Sequence, residues 1–230
     1  ATALTNISAA DVPVVFVGFG ANAPEQDWDD YGDIDLTDKL VIYLVNDPDF
    51  AAQPDEPVAG RFGNRRMTYY GRWAYKFEEA ARRGAFGALV IHETEAAGYD
   101  WSVAAAGAGE NVSLANKDPK ALPVKLQGWL HNDAAHKLLA TAGHDLDALR
   151  EKARQPEFQA FELEGIRFDA DLEVDITTFD SQNVLGLIPG SARPEEVIMA
   201  SAHWDAYGIG APDEQGRTVR AGANDDALGS

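Results

Sequence analysis

Residues 72–92, RWAYKFEEAARRGAFGALVIH, decide the fold class. Trp73, Phe77, Ala80 and Ala81 fall at i, i+4, i+7 and i+8, the spacing of one helix face. Gly84 stands where a helix C-terminus favours a residue without a Cβ. AFGALVIH (85–92) follows at once and has the composition of a buried strand. Upstream, KLVIYLVN (39–46) and PVVFVGFG (13–20) read the same way, bounded by Gly, Asp and Pro. Strand, helix, strand in that order is a βαβ-like unit, and the chain reads as α/β (α+β).

Working outward, the acidic link APEQDWDDYGDIDLTD (23–38) has turn chemistry, with aromatic residues set to cap a core edge. DPDFAAQPDEPVAGRFGNRR (47–66) is a long polar stretch, and loops of that length tend to be functional or mobile. Residues 96–118 show no firm periodicity. LPVKLQGWL (122–130) reads as a strand. Asn132 or Asp133 is placed to cap a helix through AAHKLLATAG, ended by Gly143, and DLDALREKAR (145–154) reads as a second helix. Near Gln155–Pro156 the pattern changes. Leu172, Val174 and Ile176 alternate with Glu173, Asp175 and Thr177, the period of a half-buried antiparallel strand. NVLGLIPGS (183–191) reads as its partner, and EEVIMASAHWD (195–205) as an apolar strand ending near His203. The expected boundary divides residues 1–156 from 157–230.

Composition narrows the function. Of 230 residues, 45% are hydrophobic and 25% charged, an ordinary globular balance. Net charge is −19, which disfavours nucleic acid and anionic lipid as partners and is compatible with cations. The absence of cysteine removes disulfides, thiolate metal sites and a cysteine nucleophile together. No apolar run approaches the roughly 18 residues of a membrane span. The first twenty residues lack the basic start of a signal peptide.

Two motifs carry candidate chemistry. In SAHWDAYG (201–208), His203 and Asp205 would share one face of a strand, since residues i and i+2 point the same way. A metal-binding imidazole needs a carboxylate or similar acceptor on its other ring nitrogen, and Asp205 is placed to be that partner or a ligand itself. In GANDDALGS (222–230), Asn224, Asp225 and Asp226 gather oxygen donors at a turn. Adjacent carboxylates repel one another, and a cation is the usual reason to hold them together. Each motif alone also fits a bland reading, an exposed turn for H-x-D and a helix N-cap for the Asp pair. Their joint occurrence some twenty residues apart raises the metal reading. His92 fits a core or rim position, and His131, His136 and His144 fit solvated helix ends. Tyr69, Tyr70, Trp73 and Tyr75 fit packing of a helix start better than a groove.

On these residues the sequence resembles the co-catalytic zinc exopeptidases related to aminopeptidase Y, glutamate carboxypeptidase II and transferrin receptor. Their pattern is a strand ending in H-x-D, then a G-A-x-D-[DN]-x-x-G turn, matched here by His203-Trp204-Asp205 and Gly222–Gly229. Leu228 departs from the pattern, where the family has a small residue. The earlier two-thirds resemble the protease-associated domain inserted in such peptidases, an open barrel-like or β-sandwich fold with flanking helices, followed by the first strands of the peptidase sheet. The resemblance implies that His203 binds one zinc ion, Asp225 bridges two, and Asp205 serves in the catalytic site by orienting His203. It implies a peptide substrate, an inserted domain over the active-site entrance, and an extracytoplasmic location. The family's Glu-Glu pair, Asp and final His have no counterpart in residues 1–230, so the chain reads as an internal slice of a peptidase. With two zinc ligands where a tight site takes three or four, residues 1–230 are expected to bind zinc weakly and to be inactive. The strand over 195–203 is expected to leave an unpaired edge and favour self-association or pairing with the neighbouring hairpin. A non-catalytic interaction module of the same clan is the alternative. A calcium or magnesium carboxylate site is a third reading, disfavoured by the imidazole of His203.

Overall fold

Leu40, Ile42 and Leu44 face one core while Val41 and Tyr43 face another, as in a strand covered on both sides. The computed structural model describes residues 4–105, 112, 115, 124–203, 208–209, 212 and 216–220. Its two compact units are residues 1–178 and 179–230. In chain order the first contains β1 (Asn6–Phe16), β2 (Asn22–Ala23), β3 (Trp28–Asp29), β4 (Leu40–Leu44), α1 (Trp73–Arg82) and β5 (Gly87–Ile91). Then follow α2 (Thr94–Ala97), α3 (Trp101–Ala104), β6 (Leu126–Leu130), α4 (Asn132–Thr141), α5 (Leu146–Ala153) and β7 (Phe161–Glu173).

Five strands form one open sheet in the order β6-β5-β4-β1-β7. The first four run parallel and β7 runs antiparallel to β1. The mixed α/β class expected from residues 72–92 is therefore the class observed. Among the described residues the strands do not close into a barrel, and the other pairing in this unit is the short β2–β3 ribbon.

One face of the sheet packs Val14, Phe16, Leu40 and Ile42 against Leu139 of α4 and Leu149 of α5. The opposite face packs Val15, Val41, Tyr43 and Val90 against Phe77 and Ala80 of α1. Burial of such side chains contributes about 1.5–3 kcal/mol each before entropy is counted, and supplies most of the drive for this layering. Gly84 takes φ +74, and Ala85 N–H bonds the Ala80 carbonyl at 3.0 Å, closing α1 as its glycine predicts. The buried stripe of α1 is rotated from expectation. Tyr75, Lys76 and Glu79 are buried with Phe77 and Ala80, whereas Trp73 is 47% exposed. The cap of α4 is also different. His131, not Asn132 or Asp133, precedes the first turn, and its Nδ1 accepts from Asp133 N–H at 3.2 Å.

β7 is longer and earlier than the alternation at 172–177 suggests. Its register runs from Phe16 opposite Phe161 to Asn6 opposite Glu173, with irregularities between Ala9 and Val12 and between Pro13 and Val15. Pro13 lacks an N–H, and Asp11 at φ 56 hands its own N–H to the Asp169 carboxylate at 3.1 Å, so the bulge keeps the pair satisfied. The first compact unit extends through β7 to residue 178.

In the second unit β8 (Gly208–Ile209) pairs antiparallel with β9 (Val219–Arg220). The strands expected over 183–191 and 195–203 are not formed. Val184, Leu185, Leu187, Ile188, Val197 and Ile198 are all more than three-quarters exposed. Strand propensity reflects fit to a half-buried pleated surface, and among the described residues these runs have neither a ladder partner nor a sheet face to cover. No helix of the described residues is long and apolar enough to cross a membrane.

Candidate metal centre

The segment leading to the sequence-predicted site, residues 179–203, is fastened locally at a turn. Arg193 carbonyl accepts from Glu196 N–H at 3.1 Å, and the two side chains pair at 2.8 Å across a turn begun by the Arg193–Pro194 step. His203 ends this stretch and is exposed. Asp205 and Asp225 lie outside the described residues, as do Trp204 and the whole turn 221–230. The β8–β9 ribbon lies after Asp205 and before Gly222 in sequence. Among the described residues, no three His, Asp or Glu side chains gather into a group able to hold a metal ion.

A second concentration of polar groups sits in the first unit, where the parallel strands end. Such carboxyl ends are where open α/β sheets generally bind ligands. Lys76 is fully buried and donates to three backbone carbonyls, Phe19 at 2.6 Å, Asn46 at 3.2 Å and Tyr70 at 3.2 Å. These carbonyls belong to the exit of β1, the exit of β4 and the approach to α1. Burial lowers the ammonium to about 8, partly offset by the charges of Asp47 and Asp30.

Asp30 accepts from Ala21 N–H at 2.9 Å and from Trp28 Nε1–H at 2.8 Å. Burial pushes its carboxyl up to about 7 against those two hydrogen bonds. Asp47 is likewise raised by burial, and accepts from both the N–H and the hydroxyl of Thr68 at 2.6 Å. Asp49 Oδ2 accepts from Phe62 N–H at 2.9 Å and Asn64 N–H at 3.0 Å. The two carboxylates therefore pin the long 47–66 stretch. Val58, with Ala52, Phe62 and Tyr70, packs around Trp28 as a small core of its own.

Beside this cluster lies a cavity of about 60 Å³, lined by Phe19, Leu44, Phe50, Ile91 and Ala96, with Arg150 at its rim. Arg150 is held by Asp147 at 2.6 Å and Asn132 at 2.5 Å, and its Nε lies 3.2 Å from Glu93 without a hydrogen-bond alignment. His92, at the end of β5, is buried among the rings of Tyr99, Trp101 and Trp129 at 5.5–5.6 Å. Its Nε2 meets no hydrogen-bond partner among the described residues. The core position allowed for His92 is the one it takes. Sequence reading passed over Lys76. Spacing gave no signal for it, because the neighbour at i−3, Trp73, is itself 47% exposed and a charged side chain reads as a surface one.

Residues 183–230 match the family model described as peptidase family M28. The match relates this segment to a family of peptidases, and it contains His203, Asp205 and Asp225. No curated protein and no solved structure matches the chain.

Proposed function

We propose that residues 183–230 carry the first metal-binding motifs of a co-catalytic zinc exopeptidase that hydrolyses terminal peptide bonds. The match of this segment to a peptidase family carries the reading, since both motifs fall within it. His203 is assigned as a ligand to one zinc ion through its neutral imidazole. Asp205 would accept the other ring N–H and fix the tautomer, and Asp225 would help hold both ions with its carboxylate. The donor chemistry fits zinc better than a hard cation, which takes an all-oxygen shell. When bound, paired zinc ions polarise a scissile carbonyl and lower the pKa of a shared water. Residues 1–178 act in this proposal as a protease-associated cover that keeps folded proteins from the active-site entrance. Peptide is the proposed substrate and an extracytoplasmic compartment the proposed location.

One imidazole and one bridging carboxylate fall short of the three or four protein ligands of a tight zinc site. A general base and further ligands would complete such a site. The 230-residue polypeptide, dialysed after zinc loading, is expected to lose its metal and to leave aminoacyl and C-terminal peptide substrates intact. Stoichiometric zinc by elemental analysis would overturn the ligand assignment. His203→Ala and Asp225→Asn are each expected to weaken zinc binding by the 230-residue polypeptide further, read by calorimetric titration. Unchanged affinity in both variants would sink the proposal.

A further inference from the structure

We infer that residues 47–71 form a cover over the cavity at the carboxyl end of the sheet, and that the buried Asp30, Asp47 and Lys76 side chains set how tightly it closes. Phe50 and Ala51, from this segment, form one wall of the cavity, opposite Phe19 and Ile91. The segment has no helix or strand of its own. Its closure depends on a few tethers to the rest of the unit: the Tyr70 carbonyl on Lys76, Glu56 on Arg154 at 3.0 Å, Arg61 on the Gln26 carbonyl at 3.2 Å and the Tyr70 hydroxyl on Glu25 at 2.7 Å, while Thr68 on Asp47 and Phe62 and Asn64 on Asp49 hold the segment's own shape. Trp28, whose indole N–H is held by Asp30, supplies the surface on which Phe62 stacks edge-on at 5.7 Å.

The charges are unequal. Two buried carboxylates face one ammonium, and that ammonium directs its hydrogen bonds to carbonyls rather than to either acid. Asp29 beside Asp30 and Asp49 beside Asp47 add further negative charge, and the Tyr43 ring lies 6.0 Å from the ammonium. A buried carboxylate without a paired cation is costly, and it is relieved either by taking up a proton or by gaining water. Proton uptake leaves the cover shut. Ionisation favours the arrangement that admits water, and the irregular 47–71 segment is the wall that can move without breaking the sheet. The sign follows from linkage. A carboxyl whose closed-state value is raised binds more protons when closed, so rising pH shifts the balance toward the open form. Lys76 stays charged up to about pH 8, so the acid side of neutrality reports the carboxylates.

Amide hydrogen exchange by mass spectrometry, corrected for intrinsic rates, tests this on the 230-residue chain at pH 5.0 and 7.5. Peptides covering 50–66 are expected to lose protection by about tenfold or more at the higher pH, while α4 and α5 keep theirs. Asp30→Asn and Asp47→Asn each restore one acid to one base, and are expected to flatten the pH dependence. A pH-independent wild-type cover, or an equal loss in α4 and α5, would overturn the inference. So would either folded variant keeping the full wild-type change. Should neither variant fold, the wild-type comparison decides by itself.

Discussion

The Lys76 ammonium donates to the Phe19 carbonyl at 2.6 Å, joining groups 57 residues apart. The same nitrogen reaches Asn46 and Tyr70, so one side chain ties the ends of two strands to the start of a helix. It balances two buried carboxylates at the same time.

Replacing Lys76 by Met keeps the volume and removes the charge. The variant leaves three buried carbonyls without their donor and Asp30 and Asp47 without a cation. Breaking a buried charge arrangement from one side costs about 3–5 kcal/mol, and urea unfolding of Lys76→Met is expected to show a loss of that order.

Stability should depend on pH through Asp30. Its folded value is raised to about 7 from the ordinary 3.8, so between those limits the native state binds more protons than the unfolded chain. Its contribution therefore declines as pH rises from 4 to 7. Lys76 acts oppositely at higher pH. Its value is lowered to about 8 from 10.5, so its contribution improves as pH rises between those values. Unfolding free energies of wild type minus Asp30→Asn, measured from pH 5 to 7.5, should fall steadily. A flat difference would remove Asp30 from this role.

Gly20 should tolerate no side chain. It sits at φ +63, where a Cβ would fall 2.3 Å from Tyr43 Cε1 and 3.0 Å from the Tyr31 hydroxyl. That hydroxyl donates to the Gly20 carbonyl at 3.0 Å and accepts from the Tyr43 hydroxyl at 3.2 Å, so the rings have little room to move. Left-handed strain and overpacking together predict a loss of about 3 kcal/mol for Gly20→Ala, read from thermal or urea unfolding.

The exposed apolar runs around Ile188 and Ile198 predict association. Val184, Ile188 and Ile198 are each at least 95% exposed, beyond what a soluble surface normally presents in one stretch. Sedimentation velocity should show concentration-dependent self-association, reduced when Ile188 and Ile198 are replaced by Asp. A monomer at all concentrations would remove self-association from the proposal.

Local signals read well wherever they matched the tertiary outcome. The α1–β5 unit was legible because helical spacing, Gly84 and an apolar run agree over twenty residues. β7 was not, since Glu162, Glu164 and Arg167 mask an edge strand whose partner is fixed by β1 far upstream. The runs 183–191 and 195–203 look like strands by composition, yet composition supplies no pairing partner. His203 stands out as a candidate by its spacing to Asp205, whereas Lys76 was hidden by its charge. A buried lysine becomes intelligible only when the carbonyls around it are known.

The register of β7 on β1 sets Asn6 directly across from Glu173, so the two ends of this sheet leave the same corner of the unit. Flanking chain on either side need bridge little more than the gap between neighbouring strands, about 5 Å. A body with such adjoining ends behaves as a cassette: it can be spliced into, or cut out of, a surface turn of a host without stretching the host's backbone.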